Sequence, residues 1–532
     1  MKKYSLILLS LIASIICRAT GNNTNYIPIM TPEAASLGQY GSFPVSLYSG
    51  SVDISIPIHT MKTNGITIPI SLQYTGTGLI PNKDCGKVGH DWSLIAGGAI
   101  TRTVNGVPDE WLRNGEMADA DTDFELGGLL AYIRSSNPEL SNEDFHQHGH
   151  LNLIADGWES TPDMFSFNFC GHSGQFMIGH DGSVKVVGDG TYKVDISNLQ
   201  LQTFASPTQI SSITITDGHG TKYTFGGNIY SLEINLKKTP ASTTHIPNGV
   251  IGAFYLTRIE TADGEYVIFQ YTDKEDDQNN TYANFSQSEN GHSDGINIVR
   301  TPHYSDFHCE FTNENISSLV LNPTYDLGVS YTKTVYLHKI ITSFGEDAVF
   351  NYTLKEIPFS NVKEQDFWDK GTSYNQRLND IRITNSCGDV TAYATLHHSY
   401  PLSYDYKSGK YPSELQKMAR MFLDSVFVNK ERYSFEYTTK EKLPLPYTRG
   451  IDLQGYYNGN DYNSNLLGIT STGQSPTFTN RQPDFNKSSM GMLSRITYPT
   501  GGTTEFVFEN HYYSKAVVFS TGGDNIVNLI RE

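Results

Sequence analysis

Residues 256–271 read LTRIETADGEYVIFQY, and this stretch decides the predicted fold. Apolar and polar residues alternate on both sides of a turn that contains Ala, Asp and Gly, which is the pattern of a β-hairpin. The same order of an apolar start, a turn and an aromatic-rich strand returns along the chain. The six copies are residues 210–225, 256–271, 337–352, 378–394, 422–437 and 493–508.

The copies also predict how the chain builds its core. A repeated unit that cannot bury its own apolar face must stack against its neighbours. The abundance of Tyr (33), Phe (26) and Gly (47) favours strands and turns over helices. We therefore predict an all-β fold in which stacked antiparallel hairpins form an elongated or shell-like assembly with polar loop insertions.

The first residues have the features of a secretory signal peptide. Lys2 and Lys3 supply a positive start, and the apolar run at residues 4–16 is too short to span a bilayer. We predict cleavage after Ala19. A lipid anchor at Cys17 is the alternative, although Ile16 is bulkier than the residue a lipobox has there. The chain is thus expected to be exported to the cell surface, the periplasm or the medium, with no transmembrane span.

The charge of the chain restricts its partners. The formal net charge is −18, and removal of residues 1–19 makes it more negative by three. Such a chain is a poor ligand for nucleic acid or for an anionic membrane surface. A glycan or a protein at the cell surface is the partner class that remains.

The cysteines of the processed chain do not predict a disulfide scaffold. Cys85, Cys170, Cys309 and Cys387 lie far apart and form no CxxC spacing. Export permits disulfides between them. We interpret them as small apolar residues of the core.

The sequence divides into regions by composition. We expect a signal peptide at 1–19, a leader at 20–43, an N-terminal β module at 44–225 and a hairpin-repeat region at 226–532. A polar, acidic insertion at 103–162 interrupts the β module. Before the insertion, in the first part of the β module, glycines flank Trp92 in the sequence. This pattern predicts a tight packing site for the indole. These glycines are Gly86, Gly89, Gly97 and Gly98.

The clearest metal-like pattern lies in the insertion. His146, His148 and His150 alternate, so on an extended segment their imidazoles would point the same way toward Zn²⁺ or Cu²⁺. Gly149 interrupts the strand pattern, and a solvated loop is the favoured interpretation. Residues 119–125 resemble the start of a calcium loop, but the rest of that motif is missing, which indicates an exposed acidic loop.

Patterns for covalent catalysis are weak. The sequence contains no G-x-S-x-G and no H-E-x-x-H motif. Cys170 and His172 are near neighbours, but a turn explains them and catalytic pairs are matched in space. The pair Tyr456 and Tyr457 would suit sugar stacking or, more commonly, packing within a sheet. We therefore predict no catalytic residue and no cofactor.

An ordered set of short motifs resembles the N-terminal region of bacterial RHS/YD-repeat proteins. No single motif is specific to the family. Together, in this order, the motifs extend over nearly the whole chain. They are residues 44–50 (PVSLYSG), 88–94 (VGHDWSL), 97–102 (GGAITR), 108–110 (PDE), 162–169 (PDMFSFNF) with Gly171 and Gly174, 455–459 (GYYNG) and 496–502 (ITYPTGG).

The resemblance implies a secreted or surface-displayed β-rich protein. Relatives in that family continue into many YD hairpins that wind into a hollow shell, often followed by a toxin or effector tail. No such run follows residue 508 here, so a tail activity is not carried over. The expected function is an exported scaffold module of an RHS/YD-repeat-type surface protein without catalytic activity. The alternative is a glycan- or protein-binding surface module.

Overall fold

The structure is a computed structural model that describes most of the hairpin region and part of the N-terminal region. The described residues are 45–46, 51–52, 54–81, 83, 85–112, 127–135, 158–159, 161–187, 191–202, 210–236, 249–271, 297–304, 308–311, 321–324, 327–355, 376–401, 420–444, 448, 450–452, 454–460, 482–509, 517–518 and 527–528.

Strands dominate the described residues, which confirms the predicted all-β fold. The first strands are β1 (Val45–Ser46), β2 (Ser51–Val52), β3 (Ile54–Lys62), β4 (Thr67–Tyr74), β5 (Trp92–Ala96), β6 (Gly98–Thr103), β7 (Met164–Phe169), β8 (His172–Ile178), β9 (Val184–Val187), β10 (Lys193–Asp195), β11 (Ser212–Thr216), β12 (Lys222–Gly226), β13 (Leu232–Leu236), β14 (Gly249–Glu260) and β15 (Tyr266–Gln270). The later strands are β16 (Asn297–Tyr304), β17 (His308–Phe311), β18 (Leu321–Thr324), β19 (Leu327–Thr334), β20 (Lys339–Thr342), β21 (Asp347–Leu354), β22 (Gln376–Thr384), β23 (Val390–Ser399), β24 (Phe422–Val428), β25 (Glu431–Tyr437), β26 (Leu493–Thr497), β27 (Thr503–Glu505), β28 (Val517–Val518) and β29 (Val527–Asn528).

Helical structure in the described residues is confined to short pieces. The helices are α1 (Leu129–Ser135) and α2 (Phe485–Ser488), and the 3₁₀ turns are Ile229–Ser231 and Lys440–Lys442. None of the helices in this part of the chain is long and apolar enough to cross a membrane.

Each of the six sequence copies is an antiparallel hairpin, as predicted. In chain order we number them hairpins 1 to 6: β11–β12, β14–β15, β20–β21, β22–β23, β24–β25 and β26–β27. The second strand of each hairpin pairs with the first strand of the next, through β12–β14, β15–β20, β21–β22, β23–β24 and β25–β26. The hairpins therefore form one continuous antiparallel ribbon within a 20-stranded sheet.

A common turn geometry closes five of the hairpins. In hairpin 2 the Thr261 N–H donates to the Glu265 carbonyl at 2.9 Å, and the Gly264 N–H donates to the Thr261 carbonyl at 3.1 Å. Gly264 has φ 87°, a left-handed value that a residue without Cβ adopts at no steric cost. Hairpin 5 differs because a two-residue turn, Asn429-Lys430, has φ 50° and 76°, as in a type I′ turn.

A smaller sheet covers the hairpin ribbon. Strands β3, β4 and β5 form this three-stranded sheet, which we call the first sheet. Strand β6 then enters the large sheet by pairing with β14 and β7. One cluster of buried apolar residues includes Leu72 of the first sheet together with Ile381 and Ile496 of the hairpins. The first sheet and the ribbon therefore share a single core.

Candidate functional site

The segment between β4 and β5 crosses the hairpin ribbon, and we call residues 85–92 the crossing segment. Its Lys87 carbonyl accepts a 2.8 Å hydrogen bond from the Leu378 N–H at the start of hairpin 4. Its His90 N–H donates at 2.7 Å to the carbonyl of Met421, directly before hairpin 5. One short segment is thus bonded to successive repeats of the ribbon.

His398 of β23 fixes the middle of the crossing segment. Its Nε2 lies 2.8 Å from the Val88 carbonyl, and its Nδ1 lies 2.9 Å from Nη1 of Arg377. A carbonyl can only accept and a guanidinium can only donate, so the imidazole is neutral with its proton on Nε2. Burial lowers the pKa of His398 to about 4, which agrees with a neutral ring at physiological pH.

Trp92 anchors the end of the crossing segment. Its indole is 1% exposed, and its Nε1–H donates to the Tyr437 hydroxyl of hairpin 5 at 2.9 Å. The Phe435 ring lies 4.6 Å from the indole and the Tyr74 ring 5.4 Å, measured between ring centroids. The indole is tightly packed as predicted, but aromatic rings pack it rather than the glycines. A Cβ added at Gly89, Gly97 or Gly98 would first meet Leu423, Phe269 or Phe169, respectively.

The backbone before Trp92 explains why residues 88–94 (VGHDWSL) contain a glycine and an aspartate at positions 89 and 91. Gly89 has φ 150°, and a Cβ at this position would lie 3.0 Å from the Leu423 backbone nitrogen, so a side chain would separate the segment from hairpin 5. Asp91 has φ 61°, and its carboxylate accepts from Lys83 Nζ at 2.6 Å. Burial alone would raise the pKa of Asp91. The charges of His90 and Lys83 outweigh burial and bring the pKa of Asp91 below its usual value.

Three hairpins share a hydrogen bond that we call the tyrosine clasp. The last tyrosine of the repeat donates its hydroxyl proton to a backbone carbonyl at the start of the same repeat. The pairs are Tyr271 to Leu256 (2.6 Å), Tyr352 to Leu337 (3.0 Å) and Tyr437 to Leu423 (2.6 Å). The clasps of hairpins 2 and 3 lie beside the crossing segment, because Tyr271, Tyr352 and Lys87 line one small cavity. The clasp of hairpin 5 contacts it directly, because the Tyr437 hydroxyl accepts from Trp92.

We expect Tyr271→Phe to lower the free energy of unfolding by about 1–2 kcal/mol, because a buried carbonyl loses its hydroxyl partner. Urea denaturation followed by circular dichroism measures this change. Tyr393→Phe is the matched control, since Tyr393 is exposed and forms no clasp. Equal stability of the two variants would contradict a structural role for the clasp.

A second cluster lies at the ends of β6 and β7 where Arg102 and Asp163 are neighbours. It consists of Arg102, Asp109, Glu110 and Asp163, and we call it the buried acid cluster. Arg102 is 0% exposed; its Nη1 donates to Glu110 at 2.8 Å and its Nε to Asp163 at 2.8 Å. The Asp109 N–H donates to Asp163 at 3.0 Å. Three of the resembling motifs, GGAITR, PDE and PDMFSFNF, therefore meet at one guanidinium group.

The charges of this cluster do not balance one to one. Burial, followed by the Asp163 carboxylate, raises the pKa of Asp109 well above its usual value, which favours a protonated Asp109. Burial lowers the pKa of Arg102, but Asp163 and Glu110 raise it to a net value above the usual one. The guanidinium therefore stays charged and offsets part of the carboxylate charge around it.

Glu159 lies at the edge of this cluster and gives a pH-dependent prediction. Burial raises its pKa to about 7, and its carboxylate accepts from the Val107 N–H. The folded chain then binds a proton between pH 4.5 and 7 that the unfolded chain does not, so stability from this group falls as pH rises through 7. The difference in free energy of unfolding between Glu159→Gln and wild type should therefore change with pH. From pH 5 to pH 8 it should move by about 1 kcal/mol in favour of Glu159→Gln, after discounting for solvent screening.

Thermal or urea unfolding of both proteins at the two pH values measures this difference. The Glu431→Gln variant removes an exposed carboxylate and should show no such trend. A difference between Glu159→Gln and wild type that is constant with pH would rule out the perturbed carboxyl group.

Buried lysines complete the interior. Lys333 Nζ donates to the Leu232 carbonyl at 2.8 Å, and burial lowers the pKa of Lys333 to about 7. Lys87 Nζ lies 4.8 Å from the Tyr336 ring centroid. The cavity beside Lys87 has a volume of about 30 Å³, which admits water but no substrate. These amines therefore serve packing and hydrogen bonding.

The predicted metal ligands are not tested by the structure. His146, His148 and His150 lie outside the described residues, as do residues 119–125. Within the part of the chain that is described, no group of His, Cys, Asp or Glu side chains is arranged to hold a metal ion. Metal analysis of the purified protein, with the three histidines replaced by Ala, tests the histidine prediction.

The cysteines differ from one another. Cys85 is buried, Cys170 is half-buried and Cys387 is exposed in the turn of hairpin 4, and none of these three forms a disulfide. The interpretation of all cysteines as core residues was therefore wrong for Cys387, because the turn places it in solvent. Cys309 lies in β17, and its side chain is not among those described.

Two further pairs have structural roles. Burial raises the pKa of Cys170 to about 12, and the His172 ring is bonded instead to the hydroxyls of Tyr192 (2.8 Å) and Tyr223 (3.2 Å). Tyr457 is 7% exposed and belongs to the core, so it cannot form a sugar-stacking surface with Tyr456.

Comparisons with known proteins give similarity of structure alone. No protein-family model matches the chain, and no curated protein matches it. The chain is similar to the TcdB2-TccC3-Cdc42 crystal structure, at 10% identity and a TM-score of 0.32, over 73% of this chain and 16% of that one. It is also similar to the N-terminal domain of effector protein SpvB from Salmonella typhimurium strain LT2, at 9% identity and a TM-score of 0.26, over 70% of this chain and 98% of that one.

A third match is the Photorhabdus luminescens Tc holotoxin pore, at 10% identity and a TM-score of 0.26, over 78% of this chain and 17% of that one. The chain thus spans about a sixth of the first and third of these structures. The resemblance to RHS/YD-repeat proteins rests on the sequence motifs, and at these TM-scores the structural matches add no argument to it. At these identities and TM-scores, no activity, partner or site residue is transferred to this chain.

Proposed function

We propose that the chain is an exported scaffold module of an RHS/YD-repeat-type surface protein, without catalytic activity of its own. The crossing segment carries this proposal. It is bonded to successive hairpins and joins them to the first sheet in one core. A segment used in this way keeps a repeated ribbon in a fixed arrangement.

The use of the reactive side chains supports the same proposal. Lys333, His398 and the Cys170 thiol are buried or half-buried and are held in hydrogen bonds to backbone carbonyls. The Arg102 guanidinium is fully buried and is bonded to the carboxylates of Glu110 and Asp163. Catalytic groups need access to a substrate and a pocket to hold it. These groups instead form hydrogen bonds within the fold.

Surface proteomics tests the proposal. Intact source cells with and without this chain are treated with protease, and the released peptides are identified. We expect peptides of this chain from wild-type cells, and loss of specific other surface proteins when the chain is deleted. A chain found solely inside the cell, or an unchanged surface proteome, would refute the scaffold proposal.

A point variant separates scaffolding from metal chemistry in the same assay. Trp92→Ala should reproduce the deletion, because it detaches the crossing segment. Replacement of His146, His148 and His150 by Ala should leave the surface proteome as in wild type. The opposite result would favour a metal-dependent activity. A glycan array with the purified protein tests the alternative of glycan recognition.

A further inference from the structure

Strands β9 and β10 are each paired on one side in the part of the chain that the structure describes. Among the described residues, β9 pairs with β8 alone and β10 pairs with β11 alone. The two strands follow one another in the chain and approach each other in space. In a strand that is paired on one side, alternate backbone N–H and C=O groups point away from the partner and can bond an added strand.

A groove lies beside these two strands, beneath helix α1. Its volume is about 540 Å³, which is within the range of protein ligand sites. Its apolar lining comes from the helix and from both strands. These residues are Leu130, Ile133, Val184, Val194 and Ile196.

The rim of the groove is cationic, although the chain as a whole is acidic. Arg134 is held in place, since its guanidinium donates to the carbonyls of Ile196, at 2.8 Å, and Leu199. Lys193 on β10 is exposed. The rim also holds one acid, Asp195. The Ser197 hydrogen bonds and the Lys193 charge lower its pKa, so Asp195 stays ionised and the rim has one net positive charge. On a chain of net charge −18, this rim is a local site for an anionic group.

We infer that the groove binds an extended peptide of alternating apolar and acidic residues, added as a strand to the edge of β9 or β10. Main-chain hydrogen bonds to the strand edge would supply affinity. Successive side chains of a strand point to opposite faces, so the apolar ones would enter the groove beside Val194 while the acidic ones meet Lys193 on the other face of β10. This inference is independent of the scaffold proposal.

A display library of random octapeptides is the probe. It is selected against the full chain and, in parallel, against Ser197→Trp, whose indole would fill the groove from an exposed position. We expect enriched peptides with alternating apolar and acidic residues for wild type and none for Ser197→Trp. No enrichment on wild type, or the same peptides on both proteins, would overturn the inference.

Affinity and location are then measured for an enriched peptide. Fluorescence anisotropy should show about a tenfold weaker affinity for Lys193→Glu, and wild-type affinity for Lys62→Glu, an exposed charge reversal on the first sheet. Hydrogen exchange should show new protection in β9 or β10. Equal affinity of the two variants, or protection elsewhere, would refute the groove. Circular dichroism of each variant verifies that it is folded.

Discussion

Replacing Trp92 by alanine is expected to lower the free energy of unfolding by about 3–5 kcal/mol, the range for removal of a buried aromatic side chain. The indole is 1% exposed, and it joins the first sheet to Tyr437 and Phe435 of hairpin 5. Its loss leaves a cavity at the point where two sheets meet. Urea denaturation followed by circular dichroism measures the change.

Two other variants show which part of the effect belongs to this position. Trp158→Ala removes an indole that is half-buried and packs at a tilt against the Tyr132 ring, and it should cost clearly less. Trp92→Phe keeps a ring but loses the N–H donor to Tyr437, and it should cost about 1–2 kcal/mol. A Trp92→Ala protein as stable as Trp158→Ala would contradict the anchoring role.

Replacing Arg102 by methionine is expected to cost about 3–5 kcal/mol, the range for breaking a buried ion pair by removing one partner. The guanidinium is bonded to Glu110 and Asp163 in a fully buried site. Without it, carboxylates remain in the interior with no cation. Denaturation at neutral pH measures the loss, and the loss should shrink at acidic pH because the carboxylates then become neutral.

An exposed pair and a rescue variant separate burial from charge. Arg495→Met breaks the bonds to Glu505 and Glu436 at the surface, where water and salt screen the charges, so it should cost far less than Arg102→Met. Adding Glu110→Gln and Asp163→Asn to Arg102→Met should recover part of the stability, since the uncompensated charges are then removed. Similar losses for Arg102→Met and Arg495→Met, or no recovery, would refute the account of the cluster.

Local patterns in the sequence predict the hairpins well. Alternation sets which side chains face the core, and in hairpin 2 the glycine at position 264 closes the turn with φ 87°. The same fourth position of the loop is glycine in four other hairpins. These glycines are Gly220, Gly345, Gly388 and Gly501. The tyrosine clasp also has a signal that we did not use, because Tyr271, Tyr352 and Tyr437 each end a repeat.

The long-range contacts could not be predicted in the same way. Trp92 is separated by 345 residues from Tyr437, and no local pattern relates the two. The glycines around Trp92 predict a packing site but not its partner. Arg102, Asp109 and Asp163 lie in three separate motifs of the sequence, but nothing in these motifs indicates that the three side chains meet. Their burial depends on strands that meet when the whole sheet has formed.

The central claim is that the crossing segment makes the first sheet and the hairpin ribbon one cooperative unit. Native-state hydrogen exchange of wild type and Trp92→Ala tests it most directly. We predict that amides of β4, β24, β25 and β26 lose protection together, by about 100-fold or more, as expected for a loss of about 3 kcal/mol. Loss of protection confined to residues 85–92, with hairpins 5 and 6 protected as in wild type, would contradict the claim.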